Sequence, residues 1–236
     1  MKPFPLKLKE FTETLDCTIQ VAKVEDISPV PSPGTAWKVT FECDQFNWAY
    51  SLMLLTVVSK GTYTVTEVGV NYVKLSGTVA PAVGDVFKLK APVFLHGTQL
   101  KVKPEWDALV KTSGQVQPVI YLQELSPEVW DTDKLAEVAS RANVRLWFLL
   151  PCLKDWSTSQ HYSLVIEAMY QLAQSFVEQL KYRNIIAESG DDYTLTYHAS
   201  IGSTSEYGHL KDLISTPYSG VELRATFKRL EENCSC

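Results

Sequence analysis

Ser157-Thr-Ser-Gln-His-Tyr-Ser-Leu-Val-Ile-Glu-Ala-Met-Tyr-Gln-Leu-Ala-Gln-Ser-Phe-Val-Glu-Gln-Leu-Lys181 decides how the second half of this chain is read. Ser157 and Gln160 have the spacing of a capping box, in which the serine oxygen accepts a backbone N–H and the glutamine reaches back. Tyr162, Val165, Ile166, Met169, Leu172, Ala173, Phe176, Val177 and Leu180 then recur at steps of three and four, one apolar stripe of a long helix. Glu167, Gln171, Gln174, Glu178 and Lys181 fall largely on the other side.

Strands flank that helix. Pro118-Val119-Ile120-Tyr121-Leu122 is short and apolar, and Val144-Arg145-Leu146-Trp147-Phe148-Leu149-Leu150 is nearly continuous, as in a strand covered on both faces. Tyr193 to Ala199 and Val221 to Phe227 alternate with period two, joined by a long loop in which 207–214 has room for a helical turn. The order strand, strand, helix, strand, strand predicts an α+β unit with one long helix on a mixed sheet.

The first half follows another pattern. Thr18–Val24, Ala36–Phe41, Thr62–Val68 and Tyr72–Leu75 read as short strands, separated by Pro29, Pro31, Pro33-Gly34, Lys60-Gly61, Gly69, Gly77, Pro81 and Val83-Gly84-Asp85. Such spacing predicts a small all-β barrel or sandwich, closed or nearly so, because a short sheet must cover its edges. The stretch from Asn47 to Leu55 reads equally as strand or short helix. Phe94 to Gln99 reads as a strand end and turn, and Pro104 to Val110 as a short helix with proline at its first position. Thr112-Ser113-Gly114-Gln115 is the expected joint, giving two domains, 1–114 and 115–236.

Composition narrows the class. The 236 residues are 45% hydrophobic and 21% charged, a folded globular balance, and no apolar run approaches the roughly 20 residues of a membrane-crossing helix. The first ten residues lead into Thr12, Glu13 and Asp16 without the apolar core of an export signal. Residues 1–114 hold 12 Lys, no Arg and 11 acidic groups, a net +1; residues 115–236 hold 10 basic and 16 acidic groups, a net −6. A chain at −5 overall is poorly suited to coating duplex nucleic acid, where affinity comes from neutralising phosphates.

Catalytic patterns are missing. Cys17, Cys43, Cys152, Cys234 and Cys236 are odd in number with no C-x-x-C pair, so buried reduced thiols are expected, and Cys234 with Cys236 supplies too few ligands for a tetrahedral metal. His96, His161, His198 and His209 share no metal-ligand spacing. His161, near a helix N-terminus that disfavours a positive ring, is expected neutral, at the surface or capping; His198 beside Tyr197 is expected in packing or at the surface. Ser203 and Ser205 sit in a polar loop rather than a nucleophile elbow, and no phosphate-cradling glycine motif occurs. The neighbours Asp191-Asp192 and Glu231-Glu232 point apart in extended backbone and read as solvated charge. No catalytic, cofactor or metal residue is therefore assigned, and no interface residue can be named.

The alternative to a structural role is a single-stranded nucleic-acid-binding module on the barrel, with Trp37, Phe41, Tyr63 and Tyr72 as stacking platform and Lys38, Lys60 and Lys74 as funnel. The absence of Arg before residue 141 weighs against it. Six Trp and eleven Tyr fit cores and subunit contacts better.

Phe94-Leu95-His96-Gly97-Thr98-Gln99, then a short helix with Glu105, then Gln117-Pro118-Val119-Ile120-Tyr121-Leu122-Gln123-Glu124, then an apolar strand and the long helix, resemble structural proteins of Bacteroidetes phages and prophages. The close, Leu210-Lys211-Asp212-Leu213-Ile214 leading into Val221–Phe227, fits the same pattern, and the layout is similar to tail-terminator and tail-completion proteins of the head-to-tail junction. The resemblance covers about residues 92–230; Pro151 to Trp156 departs from it. It implies a non-catalytic virion protein of the phage neck or tail. Its partners would be itself in a homo-oligomeric ring and other neck, tail or portal proteins. It would have no cofactor and no membrane, and DNA would pass through its lumen without specific binding. An acidic unit suits such a channel, since like charge keeps the duplex off the wall.

Overall fold

The computed structural model describes residues 4–29, 35–42, 46–51, 53–57, 60–69, 71–97, 102–106, 108, 117–123, 141–152, 156–183, 185, 193–201 and 218–228. It opens with a helix that the sequence reading did not anticipate, α1 (Phe4–Glu13). Leu8 and Phe11 on its inner side are buried while Leu6 is half exposed, so the helix is held by one narrow apolar stripe.

The N-terminal strands are β1 (Thr18–Asp26), β2 (Ala36–Phe41), β3 (Leu54–Val57), β4 (Gly61–Val68), β5 (Tyr72–Ser76) and β6 (Val86–Lys88). They close into a barrel in the order β1-β2-β5-β4-β3-β6, every pair antiparallel. Closure follows from the alternation: Ile19, Val21, Trp37, Val39, Phe41, Leu55, Val57, Tyr63, Val65, Val73, Leu75 and Phe87 all point inward, and a closed sheet leaves no edge. Aromatic rings pack edge to face inside it, Trp37 on Tyr63 at 6.0 Å and Tyr63 on Phe87 at 5.5 Å. The stretch from 46 to 50 is neither strand nor helix. Asn47 accepts the Ala49 N–H at 3.1 Å, a local turn that competes with regular structure, and Trp48, Ala49 and Tyr50 are buried around it.

The second sheet holds β7 (Val93–Gly97), β8 (Val119–Gln123), β9 (Arg141–Pro151), β10 (Tyr193–Ile201) and β11 (Tyr218–Lys228) in the order β10-β11-β9-β8-β7. All pairs are antiparallel except β7 with β8. The overall class is α+β, with a closed barrel followed by a mixed sheet and one long helix, as the periodicities require. The chain changes sheets between β6 and β7, ahead of the joint expected at 112–115, which lies outside the described residues. Residues 102–106 are helical, so Pro104 follows two helical residues rather than opening the helix.

The long helix, α2, runs as α-helix over Thr158–His161, π-helix over Tyr162–Ile166 and α-helix again over Glu167–Tyr182. Its capping box is formed as expected: Gln160 N–H donates to the Ser157 hydroxyl, and Ser157 N–H to the Gln160 side chain at 2.8 Å. The π turn inserts one residue into the helical phase. Tyr162, expected in the buried stripe, is therefore turned outward and 46% exposed, while Val165 through Leu180 keep the stripe on the sheet.

One apolar cluster runs through both units. It joins the barrel interior, Leu8 and Phe11 of α1, Leu172, Phe176 and Leu180 of α2, and Leu146, Phe148, Val221 and Leu223 of the sheet. Phe11 meets Phe176 edge to face at 5.0 Å, and Asp16 and Gln179 exchange two hydrogen bonds, at 3.0 and 3.2 Å. A smaller cluster covers the other face of the sheet, where Trp106 packs on Tyr121 and Tyr218. Among the described residues no helix is long and apolar enough to cross a membrane.

Candidate functional site

β11 presents alternate residues to the two faces of the sheet. Val221, Leu223 and Ala225 lie in the main core with α2, and Glu222 and Arg224 take the opposite face. On that face Glu222 is paired in register with Trp147 of β9 on one side and Thr196 of β10 on the other. Arg145 of β9 and His198 of β10 stand diagonally from it, close enough for long side chains to meet.

The carboxylate is 1% exposed and each oxygen is engaged. Arg145 Nε and Arg224 Nε both donate to Oε1, the latter at 2.6 Å, and His198 Nε2 lies 3.2 Å from Oε2. Burial alone would push this carboxyl upward. Hydrogen bonds from His198, Arg224 and Arg145, together with the Arg145 charge, overcome it and bring the group down to about 2. Trp147 frames the cluster. The Arg145 guanidinium lies 4.8 Å from its ring, His198 packs 5.0 Å from it, and its Nε1 donates to Gln123 Oε1 at 3.1 Å.

A second polar knot sits on the helix side. Ser219 is fully buried, and its hydroxyl lies 2.6 Å from His161 Nδ1 while donating to the Ala199 carbonyl. A serine beside a histidine is the geometry of an activated nucleophile, but the proton inventory here runs the other way. The hydroxyl proton is directed at the Ala199 carbonyl, so the serine is not lined up to give it to the ring as an activated nucleophile would. Burial pushes His161 below its ordinary range, against a smaller upward pull from the Trp156 backbone, and raises the thiol of neighbouring Cys152. His161 is thus buried rather than at the surface, with Trp156 packed 5.7 Å from its ring. His198 is buried too, in a charged cluster.

The remaining expected residues scatter. Trp37, Phe41 and Tyr63 fill the barrel and offer no stacking surface. Tyr72 sits near the outside with Lys38 4.5 Å from its ring, Lys60 pairs with Asp85 at 2.8 Å, and Lys74 with Glu67 at 2.6 Å. Cys17 and Cys152 are buried free thiols, and His96 is exposed on β7. Among the described residues no group of three or more His, Cys, Asp or Glu could hold a metal. Cys43, Ser203, Ser205, His209, Asp191, Asp192, Glu231, Glu232, Cys234 and Cys236 lie outside the described residues.

No protein-family model, curated protein or solved structure matches the chain.

The Glu222 cluster escaped the sequence reading, although it left a trace there. Arg145 interrupts a strand otherwise apolar on both faces, and a buried guanidinium requires a buried carboxylate. Glu222 and Arg224, two apart on another apolar strand, were the residues to pair with it.

Proposed function

We propose that this chain is a non-catalytic structural subunit of a phage neck or tail ring, acting at the head-to-tail connection or in tail completion. The observation that carries this reading is how the polar groups are used. Buried Glu222 and His198 are spent on each other and on Arg145 and the exposed Arg224, as are Ser219 and His161 on one another. Charged groups bound up in this way brace a body rather than wait for a substrate, and a ring subunit needs a rigid body whose neighbours are related by rotation.

The motifs between Phe94 and Phe227 supply the phage assignment, and the −6 of residues 115–236 suits a wall past which DNA slides. On this reading the partners are further copies of the chain and the neighbouring neck, tail or portal proteins. Light scattering of the purified chain, with electron microscopy of the same sample, tests it. Closed rings of uniform mass are expected; a strictly monomeric protein, absent from purified virions, would end the proposal.

A further inference from the structure

Tyr162, Tyr170 and Tyr197 form a cluster of rings where α2 meets the outer strand β10. Elsewhere the chain supplies its own cations to such rings: Lys38 lies over Tyr72, Arg145 over Trp147, Lys181 over Tyr193 and Arg183 over Phe11. Among the described residues no Lys or Arg lies over any ring of the trio.

The π turn builds this cluster. Glu167 N–H donates to the Tyr162 carbonyl five residues back, so one wide turn sets Glu167 above Tyr162, and the next, ordinary turn sets Tyr170 three residues further along the same side. The inserted residue leaves Tyr162 46% exposed, with its ring 6.2 Å from that of Tyr197. Tyr170 approaches the same Tyr197 ring to 5.8 Å. The interplanar angles, 60° and 53°, are neither stacked nor edge-on, so the rings stand as inclined walls. Single π turns within α-helices recur at functional sites.

The charge beside the rings is negative. Glu167 is exposed, its Oε1 accepts from Gln171 Nε2 at 3.1 Å, and among the described residues no cation pairs with it. Burial, followed by the neighbouring Tyr170, Glu167 and Tyr162, pushes the Tyr197 phenol above its ordinary range. Tyr162 and Glu167 also line a cleft of about 490 Å³, which Asn47, Val68, Ser159 and Ser163 wall from the barrel side and from the start of α2.

We infer that Tyr162, Tyr170, Tyr197 and Glu167 form a binding site for a methylated ammonium ion, its head against the rings and the carboxylate and a short polar tail in the cleft. Ring faces carry negative charge density that attracts a cation, and a carboxylate adds its own field. A methylated head suits the walls better than the other organic cations. A primary ammonium requires up to three acceptors, and Gln171 already holds one of the two carboxylate oxygens. A guanidinium stacks flat on a ring, whereas a rounded head can touch inclined rings at once. The amide and hydroxyls of the cleft favour a tail bearing a hydroxyl group. All four residues belong to one chain, so the site is complete in a single copy and does not depend on the ring reading.

Choline, offered to the full chain and followed by saturation-transfer NMR on its N-methyl protons, tests the site; its neutral isostere, with carbon in place of nitrogen, is the control. Saturation should reach the N-methyl protons with a dissociation constant on the order of 1 mM or tighter, and the isostere should bind at least about tenfold more weakly. Tyr162→Leu and Tyr197→Leu should each weaken choline binding about two- to fivefold, and Glu167→Gln about fivefold. Tyr182→Leu, at an 86% exposed ring near the end of α2, should leave it unchanged. Glu167→Gln alters one exposed side chain, so the test holds even if a leucine variant fails to fold. No transfer to choline, equal binding of the neutral isostere, or a folded Glu167→Gln chain that binds choline as the wild type does would overturn the site.

Discussion

Arg183, just past the end of α2, donates from Nη1 to the Thr14 hydroxyl and from Nη2 to the Thr14 carbonyl, each at 2.7 Å. Its guanidinium also lies 5.3 Å from the Phe11 ring. One side chain thus ties the N-terminal helix and the entry to the barrel onto the end of the second unit. Arg183→Ala removes both hydrogen bonds and the ring contact, a loss of about 1–2 kcal/mol at a solvent-facing position. Because the apolar core is shared, wild type and variant should each unfold in one transition, the variant at lower urea. Two separate wild-type transitions by fluorescence and circular dichroism would show that the units are not coupled.

Glu222→Gln should cost about 3–5 kcal/mol, since it strands the Arg145 guanidinium without its counter-charge inside the sheet. Exchanging Glu222 and Arg145 together for apolar residues of similar volume should recover much of that loss, because the desolvation of both ions goes too. Chemical denaturation of the single and double variants measures the difference, and a double variant worse than the sum of the singles would contradict the argument.

Glu222 also fixes a pH dependence. Its folded value is depressed from 4.5 to about 2, so the unfolded chain binds its proton first. The stabilisation is fully present above pH 4.5 and drains away as pH falls toward 2. Acid titration of stability should therefore show a slope in that window that is absent in Glu222→Gln.

Ser219 should behave as a structural hydroxyl. Ser219→Ala leaves His161 Nδ1 and the Ala199 carbonyl without their shared partner, an expected cost of about 1–3 kcal/mol. A fluorophosphonate probe offered to the native protein should leave Ser219 unmodified. Mass spectrometry that finds the adduct there would overturn the structural role.

Gly220 and Gly61 separate two kinds of glycine requirement. A Cβ on Gly220 would lie 1.9 Å from the Phe148 carbonyl oxygen in the central strand, so Gly220→Ala must push β11 from β9 and should cost at least the ~1–3 kcal/mol of overpacking. Gly61, at φ +111°, has open space around it, so Gly61→Ala meets only backbone strain, about 1 kcal/mol. The order of the two melting temperatures is the check.

The fold was legible where one physical signal acted alone. The α2 stripe, its capping box, the two-faced burial of β9 and the alternation of β10 and β11 are each set by local sequence. Other features needed long-range information. β7 joins the second sheet because β8, across an intervening helical segment, offers it a parallel partner. α1 is held by Phe176 and Arg183 from far along the chain, and nothing near Phe4 announces them. The π turn shows only in the outward swing of Tyr162. The Glu222 cluster was half visible, since a strand such as Val221–Phe227 reports which residues share a face but not what stands across from them.

The distance in sequence between Thr14 and Arg183 also bears on how the protein is made. They are 169 positions apart, so at roughly 5–20 residues per second α1 leaves the ribosome on the order of ten to thirty seconds before the helix that clamps it. Over that interval the barrel can close, for all six of its strands precede β7. Leu8 and Phe11 meanwhile have no α2 to pack on. Synthesis therefore passes through a stage in which α1 has the barrel and β7 beside it but still lacks the end of α2 that Arg183 carries back to Thr14.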